Sequence, residues 1–137
     1  MQHMTAATSV VLAAGVLAVL PVYAHHSFDA EFDRTKTITV TGSVVRLEWT
    51  NPHARLYVKG ADETGRVQEW DFELGPPNGL MRRGWNRNSL SEGHKVTVNG
   101  FRSKNAAQPH VANARTVTLA DGRQVFAGSS FDTGPTQ

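Results

Sequence analysis

The chain of 137 residues is 39% hydrophobic and 19% charged, proportions typical of one folded domain rather than of a disordered chain. It contains no cysteine, which excludes disulfides, thiolate zinc sites, iron–sulfur clusters and cysteine nucleophiles. Fourteen Lys and Arg against twelve Asp and Glu leave a net charge of +2, too small an excess to indicate a polyanionic partner.

The first 24 residues are predicted to form a secretory signal peptide. An almost wholly apolar stretch runs from Thr5 to Val22, and Val22-Tyr23-Ala24 places small residues where a signal peptidase cleaves. We therefore expect an exported protein whose mature chain begins at His25 and has no stable membrane span. An uncleaved membrane anchor is the alternative, although the apolar stretch is short for a span.

Residues 25–36 are predicted to form a polar leader, and the strands begin after it. Apolar and polar residues alternate from Thr37 to Trp49, which is typical of a strand with one buried face. The phase slips at Val44-Val45, close to Gly42, which indicates a β-bulge in a long bent strand. Asn51-Pro52 ends this strand because proline cannot donate to a ladder.

The rest of the chain predicts five shorter strands and one short helix. The strands are expected at about 54–59, 67–74, 96–100, 111–119 and 124–126, and the helix at 79–83. In the third strand, Trp70 and Phe72 are assigned to the core. The opposite face carries Glu69, Asp71 and Glu73, which we interpret as a solvated row of carboxylates.

This order of elements predicts an all-β fold with one short helix. A long bent strand, two more strands, a helix and two further strands are the order of an OB-like small Greek-key β-barrel, which would span residues 37–127. A small β-sandwich is the alternative. Residues 128–137 are small and polar and are expected to form a flexible tail.

Five short segments of the mature chain carry a resemblance to a known family. They are His25-His26-Ser27-Phe28, Glu48-Trp49-Thr50-Asn51-Pro52-His53, Glu73-Leu74-Gly75-Pro76-Pro77-Asn78, Arg82-Arg83-Gly84-Trp85 and Ala112-Asn113-Ala114-Arg115. The chain resembles a family of small exported bacterial proteins known as a domain of unknown function. The resemblance implies a periplasmic protein of a Gram-negative bacterium but brings no activity, cofactor or partner. The chain departs from the pattern at Arg55, where a large apolar residue is expected.

The histidines suggest a copper site. Cleavage after Ala24 would give His25 a free α-amine beside its imidazole, with His26 as its neighbour, and amine and imidazole nitrogens suit Cu(II). His53, at the junction of the first two predicted strands, could add a third imidazole. The metal ligands are therefore predicted to be His25, His26 and His53. The alternative readings are a leader that binds nothing and a turn histidine bonded to backbone.

The remaining residues favour binding over catalysis. The chain has no Gly-x-Ser-x-Gly, phosphate loop or His-Glu-x-x-His motif, so we expect it not to be an enzyme. His94 and His110 lie beside turns and are expected to be solvated. The prediction is an exported, non-enzymatic binding module for a small ligand or periplasmic protein, with copper as the specific candidate and no role in nucleic-acid binding. The alternative is a metal-free periplasmic module that binds a small molecule, glycan or protein on the barrel face around Trp49, Tyr57 and Trp85.

Overall fold

The computed structural model of the chain describes residues 28–126. The predicted signal peptide (1–24), the predicted ligands His25 and His26, and the predicted tail (128–137) lie outside the described residues. Of the described helices, none is long and apolar enough to cross a membrane.

The described residues form a mostly β fold, as predicted, with two short helices where one was expected. The elements in chain order are α1 (Phe28–Glu31), β1 (Phe32–Glu48), β2 (Arg55–Ala61), β3 (Val67–Glu73), α2 (Pro77–Arg82), β4 (Lys95–Ser103), β5 (Val111–Leu119) and β6 (Gln124–Phe126). β1 begins at Phe32, five residues before the predicted start, and the helix α1 precedes it. Much of the predicted leader is therefore part of the fold.

The strands form a closed ring. β1 pairs on one side with β2 and on the other with β4, and β2 continues to β3 while β4 continues to β5, all antiparallel. A parallel pairing of β3 with β5 closes the ring, with Asp71, Phe72 and Glu73 opposite Val111, Ala112 and Asn113. β6 forms an antiparallel hairpin with the last part of β5, where Thr116 to Thr118 pair with Phe126 to Gln124.

β1 serves two neighbours because it bends. Its register with β2 shifts between Val44 and Arg46, at the predicted phase slip. The strand comes closest to β2 where Gly42 faces Gly60, and a Cβ on Gly42 would overlap the backbone of Lys59 and Gly60. Glycine at both positions is therefore required by the close approach of two backbones.

The core fills the inside of the ring. Trp70 and Phe72 are buried there, as predicted, and the part of the chain from α2 to β4 adds Leu80, Trp85 and Leu90. The largest fully buried side chains are Trp70, Phe72, Ile38, Leu56, Leu74, Leu80, Val40, Val44, Val58, Val98 and Val117. Burial of these groups supplies most of the driving force for folding.

Candidate functional site

The centre of the candidate site is Glu73, the last residue of β3. Its neighbours Phe72 and Leu74 point into the core, so the pleat turns Glu73 to the outer face of the ring. Glu73 is nevertheless only 9% exposed, and the prediction that it belongs to a solvated row of carboxylates is wrong. A carboxylate in this position loses hydration that its neighbours must replace.

Burial raises the pKa of Glu73 above its ordinary range. His53 and Arg55 oppose this effect because positive charge favours the ionised carboxyl, whereas the charges of Glu31 and Asp71 reinforce it. Two further acidic groups therefore lie within electrostatic reach of a buried one. Such a convergence marks a site where a cation would be stabilised.

His53 lies beside Glu73 because the loop between β1 and β2 is fastened to the end of β3. The Ala54 N–H donates to the Gly75 carbonyl (3.1 Å), and the Leu74 N–H donates to the Ala54 carbonyl (2.8 Å). In this position Nδ1 of His53 is 3.4 Å from Oε1 of Glu73. The His53 side chain is partly exposed, at 29%.

Arg55 on β2 is shared between two carboxylates of β3. Its Nε and Nη2 donate to the two oxygens of Asp71 at 2.8 and 2.9 Å, a bidentate pair. Its Nη1 is 3.8 Å from Oε2 of Glu73. Arg55 replaces the apolar residue expected from the family pattern, and its charge compensates part of the negative charge on this face.

Asn113 on β5 stands next to Glu73 across the parallel closure of the ring. Its side chain is 3% exposed, and Nδ2 has no hydrogen-bond partner among residues 28–126. A buried amide without a partner costs free energy unless a further group bonds to it. The site thus combines a buried carboxylate, an imidazole and an unsatisfied amide.

The amino-terminal helix α1 lies at this end of the ring. Phe28 packs edge-on against Phe101 of β4 (ring centroids 5.7 Å apart) and in a tilted arrangement against Phe32 (5.5 Å). A hydrogen bond fixes the backbone at Glu31, since the Glu31 carbonyl accepts from the Lys104 N–H at 2.8 Å. The described chain therefore begins close to Glu73, whose pKa is raised by the negative charge of Glu31.

Only part of the predicted metal site can be located. His53 lies against Glu73, whereas His25 and His26 precede the described residues. Within residues 28–126, no group of three or more His, Cys, Asp or Glu side chains is arranged to hold a metal ion. The copper ligands predicted before Phe28 therefore remain a prediction.

The other two histidines of the described residues differ from each other. His94 is exposed, as predicted, and its Nδ1 accepts from the Ser91 N–H at 3.2 Å. His110 is not solvated as predicted: it is half-buried and packs edge-on against Trp70 with ring centroids 5.2 Å apart. The turn signals around His110 gave no sign of this tertiary contact.

The aromatic residues proposed for a metal-free binding face do not share one surface. Trp85 is 4% exposed and belongs to the core. Trp49 is partly buried and packs against the core. Tyr57 lies on the outer face, where the Arg46 guanidinium stacks 3.5 Å from its ring centroid. An aromatic platform of these three rings is therefore not present.

Sequence reasoning missed Glu73 and Asn113 as site residues. Both lie within segments that carry the family resemblance, Glu73 to Asn78 and Ala112 to Arg115. The alternation of β3 groups Glu73 with the outward-facing Glu69 and Asp71, so it contained no sign of burial. Their proximity depends on the parallel pairing that closes the ring.

Comparison with models of protein families gave a match. Residues 12–112 match the model of a family described as a family of unknown function (DUF6152). Neither the comparison with curated proteins nor that with solved structures gave a match.

Proposed function

The chain belongs to the family of unknown function DUF6152, and from that premise we propose that it is a non-enzymatic binding module of the periplasm. In this proposal the signal peptide is removed after Ala24, and the mature protein binds copper through His25, His26 and His53. The function is proposed from the chemistry of the Glu73 site because the family carries no assigned activity.

The fold of the proposed module is an OB-like barrel. Three features support it: β1 is long, bent and shared between β2 and β4; the ring closes through a parallel β3–β5 pairing; and α2 lies between β3 and β4. Small barrels of this kind present their outer face and loops to ligands. The Glu73 site lies on such an outer face.

The observation that carries the copper proposal is the position of His53 against Glu73. Metal-binding histidines commonly donate one ring N–H to a carboxylate, which fixes the ring and leaves the other nitrogen for the metal. With Nδ1 at 3.4 Å from Oε1 of Glu73, His53 would offer Nε2. The buried negative charge would also favour a cation at this position.

The chain entry supports the participation of the first two mature residues. His25 and His26 precede the anchored Phe28 by three and two positions, and an extended chain spans about 3.5 Å per residue. Both are therefore within about 10 Å of Phe28 along the chain. In the proposal this reach brings them to His53, which lies against Glu73, the carboxyl that feels the charge of Glu31.

The ligand set determines the metal. An α-amine and two or three imidazoles form a nitrogen-rich set, which ranks Cu(II) above Ni(II) and Zn(II) in intrinsic affinity. Each of these nitrogens binds a proton in competition with the metal. Copper binding is therefore expected to weaken as the pH falls.

The test uses protein purified from the periplasm with its native amino terminus. Intact mass should show the loss of residues 1–24, and calorimetry with Cu(II) together with electron paramagnetic resonance should show a nitrogen-coordinated copper. An extra methionine before His25 should weaken binding strongly without changing the fold, because it removes the amine–imidazole chelate. His53→Ala should weaken it less, and His94→Ala should leave it unchanged.

Phe28→Ala adds a test of the geometry. This variant removes the side chain that packs on Phe101 and Phe32 but removes no metal ligand. Copper should then bind more weakly, with a spectrum closer to that of the His53→Ala variant.

Equal binding by the native and methionine-capped proteins would overturn the copper proposal. A metal-free protein that captures a small molecule, glycan or protein from a cell-envelope extract would favour the alternative module.

A further inference from the structure

A second polar cluster lies at a different place in the fold, around the indole ring of Trp70. Trp70 is 1% exposed, and its Nε1 is buried without a hydrogen-bond partner among residues 28–126. The indole N–H can only donate. A buried donor without an acceptor is costly, so this group requires an oxygen or another acceptor from outside the described side chains.

His110 contributes a second unpartnered nitrogen. Its ring meets Trp70 edge-on, and its Nδ1 is also buried without a partner in the described part of the chain. The residue is fixed by its backbone, since the His110 carbonyl accepts from the Asp71 N–H at 3.0 Å. In the tautomer that carries its proton on Nδ1, the imidazole is a donor like the indole.

Arg102 adds positive charge on the same ring. Its guanidinium lies 5.2 Å from the Trp70 ring centroid, and its Nη2 is 3.5 Å from Oε2 of Glu63. The other nearby carboxylate, Asp62, accepts from the hydroxyl and N–H of Thr64, and these bonds lower its pKa. Glu63, 46% exposed at the β2–β3 turn, is the acceptor that pairs with Arg102, and its Oε1 also accepts from the Thr39 N–H.

The cluster has more donors than acceptors. The Trp70 indole N–H, the His110 imidazole nitrogen and the Arg102 guanidinium lie together at one ring, whereas the one carboxylate that pairs with Arg102 among the described residues is 46% exposed and is shared with the Thr39 N–H. From this we infer that Trp70, His110 and Arg102 form a binding site for a small carboxylate anion, which takes the place of Glu63 beside Arg102. A carboxylate matches the planar fork of arginine, and its second oxygen can accept from a ring N–H.

This site is independent of the proposed copper site, since none of its residues belongs to the Glu73 site. The test is a titration of isotope-labelled protein with sodium acetate, with sodium chloride at equal ionic strength as the reference. The three indole N–H signals, from Trp49, Trp70 and Trp85, serve as internal probes. Acetate should produce a saturable downfield shift of the Trp70 signal, accompanied by shifts of the His110 ring, while Trp49 and Trp85 remain unchanged.

Three variants sharpen the test. Arg102→Gln should weaken acetate binding at least about tenfold, because it removes the charge and the fork. Arg82→Gln, which removes an exposed arginine of α2, is the matched control and should bind as the native protein does. Glu63→Gln should bind more tightly because the competing carboxylate is gone.

A Trp70 shift that is linear in acetate, or that chloride reproduces, would overturn the proposal, and so would equal binding by the Arg102→Gln variant. Either result would mean that a buried water satisfies the two ring nitrogens. Inorganic phosphate provides a second arm: binding tighter than that of acetate would assign the site to a tetrahedral anion instead of a carboxylate.

Discussion

Glu73 shows how one buried side chain couples the stability of the fold to pH. Because burial raises its pKa in the folded state, the folded protein retains a proton at a pH where the unfolded chain has lost it. The contribution of Glu73 to the free energy of unfolding is therefore greatest below its ordinary pKa. It decreases as the pH rises through the interval up to the raised pKa.

Replacement of Glu73 by Gln should remove this dependence. In metal-free protein, the free energy of unfolding of Glu73→Gln minus that of the native protein should increase as the pH rises from about 4 to 7, because the amide carries no charge to desolvate. Urea unfolding at several pH values measures the difference. A difference that decreased over this range would mean that His53 and Arg55 outweigh burial.

Asp71 and Glu69 lie on the same face of β3 but differ in how firmly they are held. The Asp71 side chain is 24% exposed and receives both bonds of the Arg55 fork, whereas Glu69 is 52% exposed and lies 3.5 Å from Arg46. Asp71→Ala should cost about 1 kcal/mol because it removes both bonds of the fork and leaves the half-buried guanidinium with Glu73 alone, at 3.8 Å. Glu69→Ala should change stability by less than about 0.5 kcal/mol. Equal denaturant midpoints would show that the fork contributes nothing.

At the level of secondary structure, glycine tolerates substitution only where its surroundings have room. Gly42→Ala should destabilise the protein by at least about 1–3 kcal/mol, because its Cβ would overlap the backbone of β2. Gly79→Ala is the control, since its Cβ would meet only the Pro76 ring at 3.5 Å and an alanine favours the helix α2. Thermal unfolding should place the first variant below the native protein and the second at or above it.

The elements differ in how well the sequence pattern predicts them. The strands and the bulge at Val44 were predictable because alternation with a period of two, and its slip, are local signals. The start of β1 was not, because residues 33–36 are polar and no alternation marks them. The four-residue helix α1 is too short to leave a periodic pattern, and packing of Phe28 on Phe101 holds it in place.

The candidate site was predictable only for His53. Turn chemistry placed this residue at the junction of two strands, but its partner Glu73 looked like one member of an exposed row. Glu73 pairs with β5 and feels the charge of Glu31 on α1, and both elements are distant from it in the sequence. Local periodicity cannot report such contacts.

For the molecule as a whole, the seam between β3 and β5 is the weakest part of the ring. It pairs three residues of each strand, whereas β2 and β3 pair over seven. Amides at this seam, among them that of Asp71, which donates to the carbonyl of His110 just before β5, should exchange with deuterium faster than those that join β1 to its neighbours. If the seam amides and the β1 amides exchanged at the same rate, that of global unfolding, the seam would not open before the rest of the ring and the prediction would be wrong.

The bulge in β1 determines where this chain can change its length. Insertion or deletion of a residue in a regular strand turns every side chain beyond it to the opposite face. Near Ile38 and Val40 such a change would send two core residues into water. At the bulge between Val44 and Arg46, removal of the extra residue leaves both flanking registers in place and only straightens the strand. We therefore expect a single-codon deletion to be tolerated at Val45 but not between Thr37 and Ser43, where β1 pairs with β4 in unbroken register.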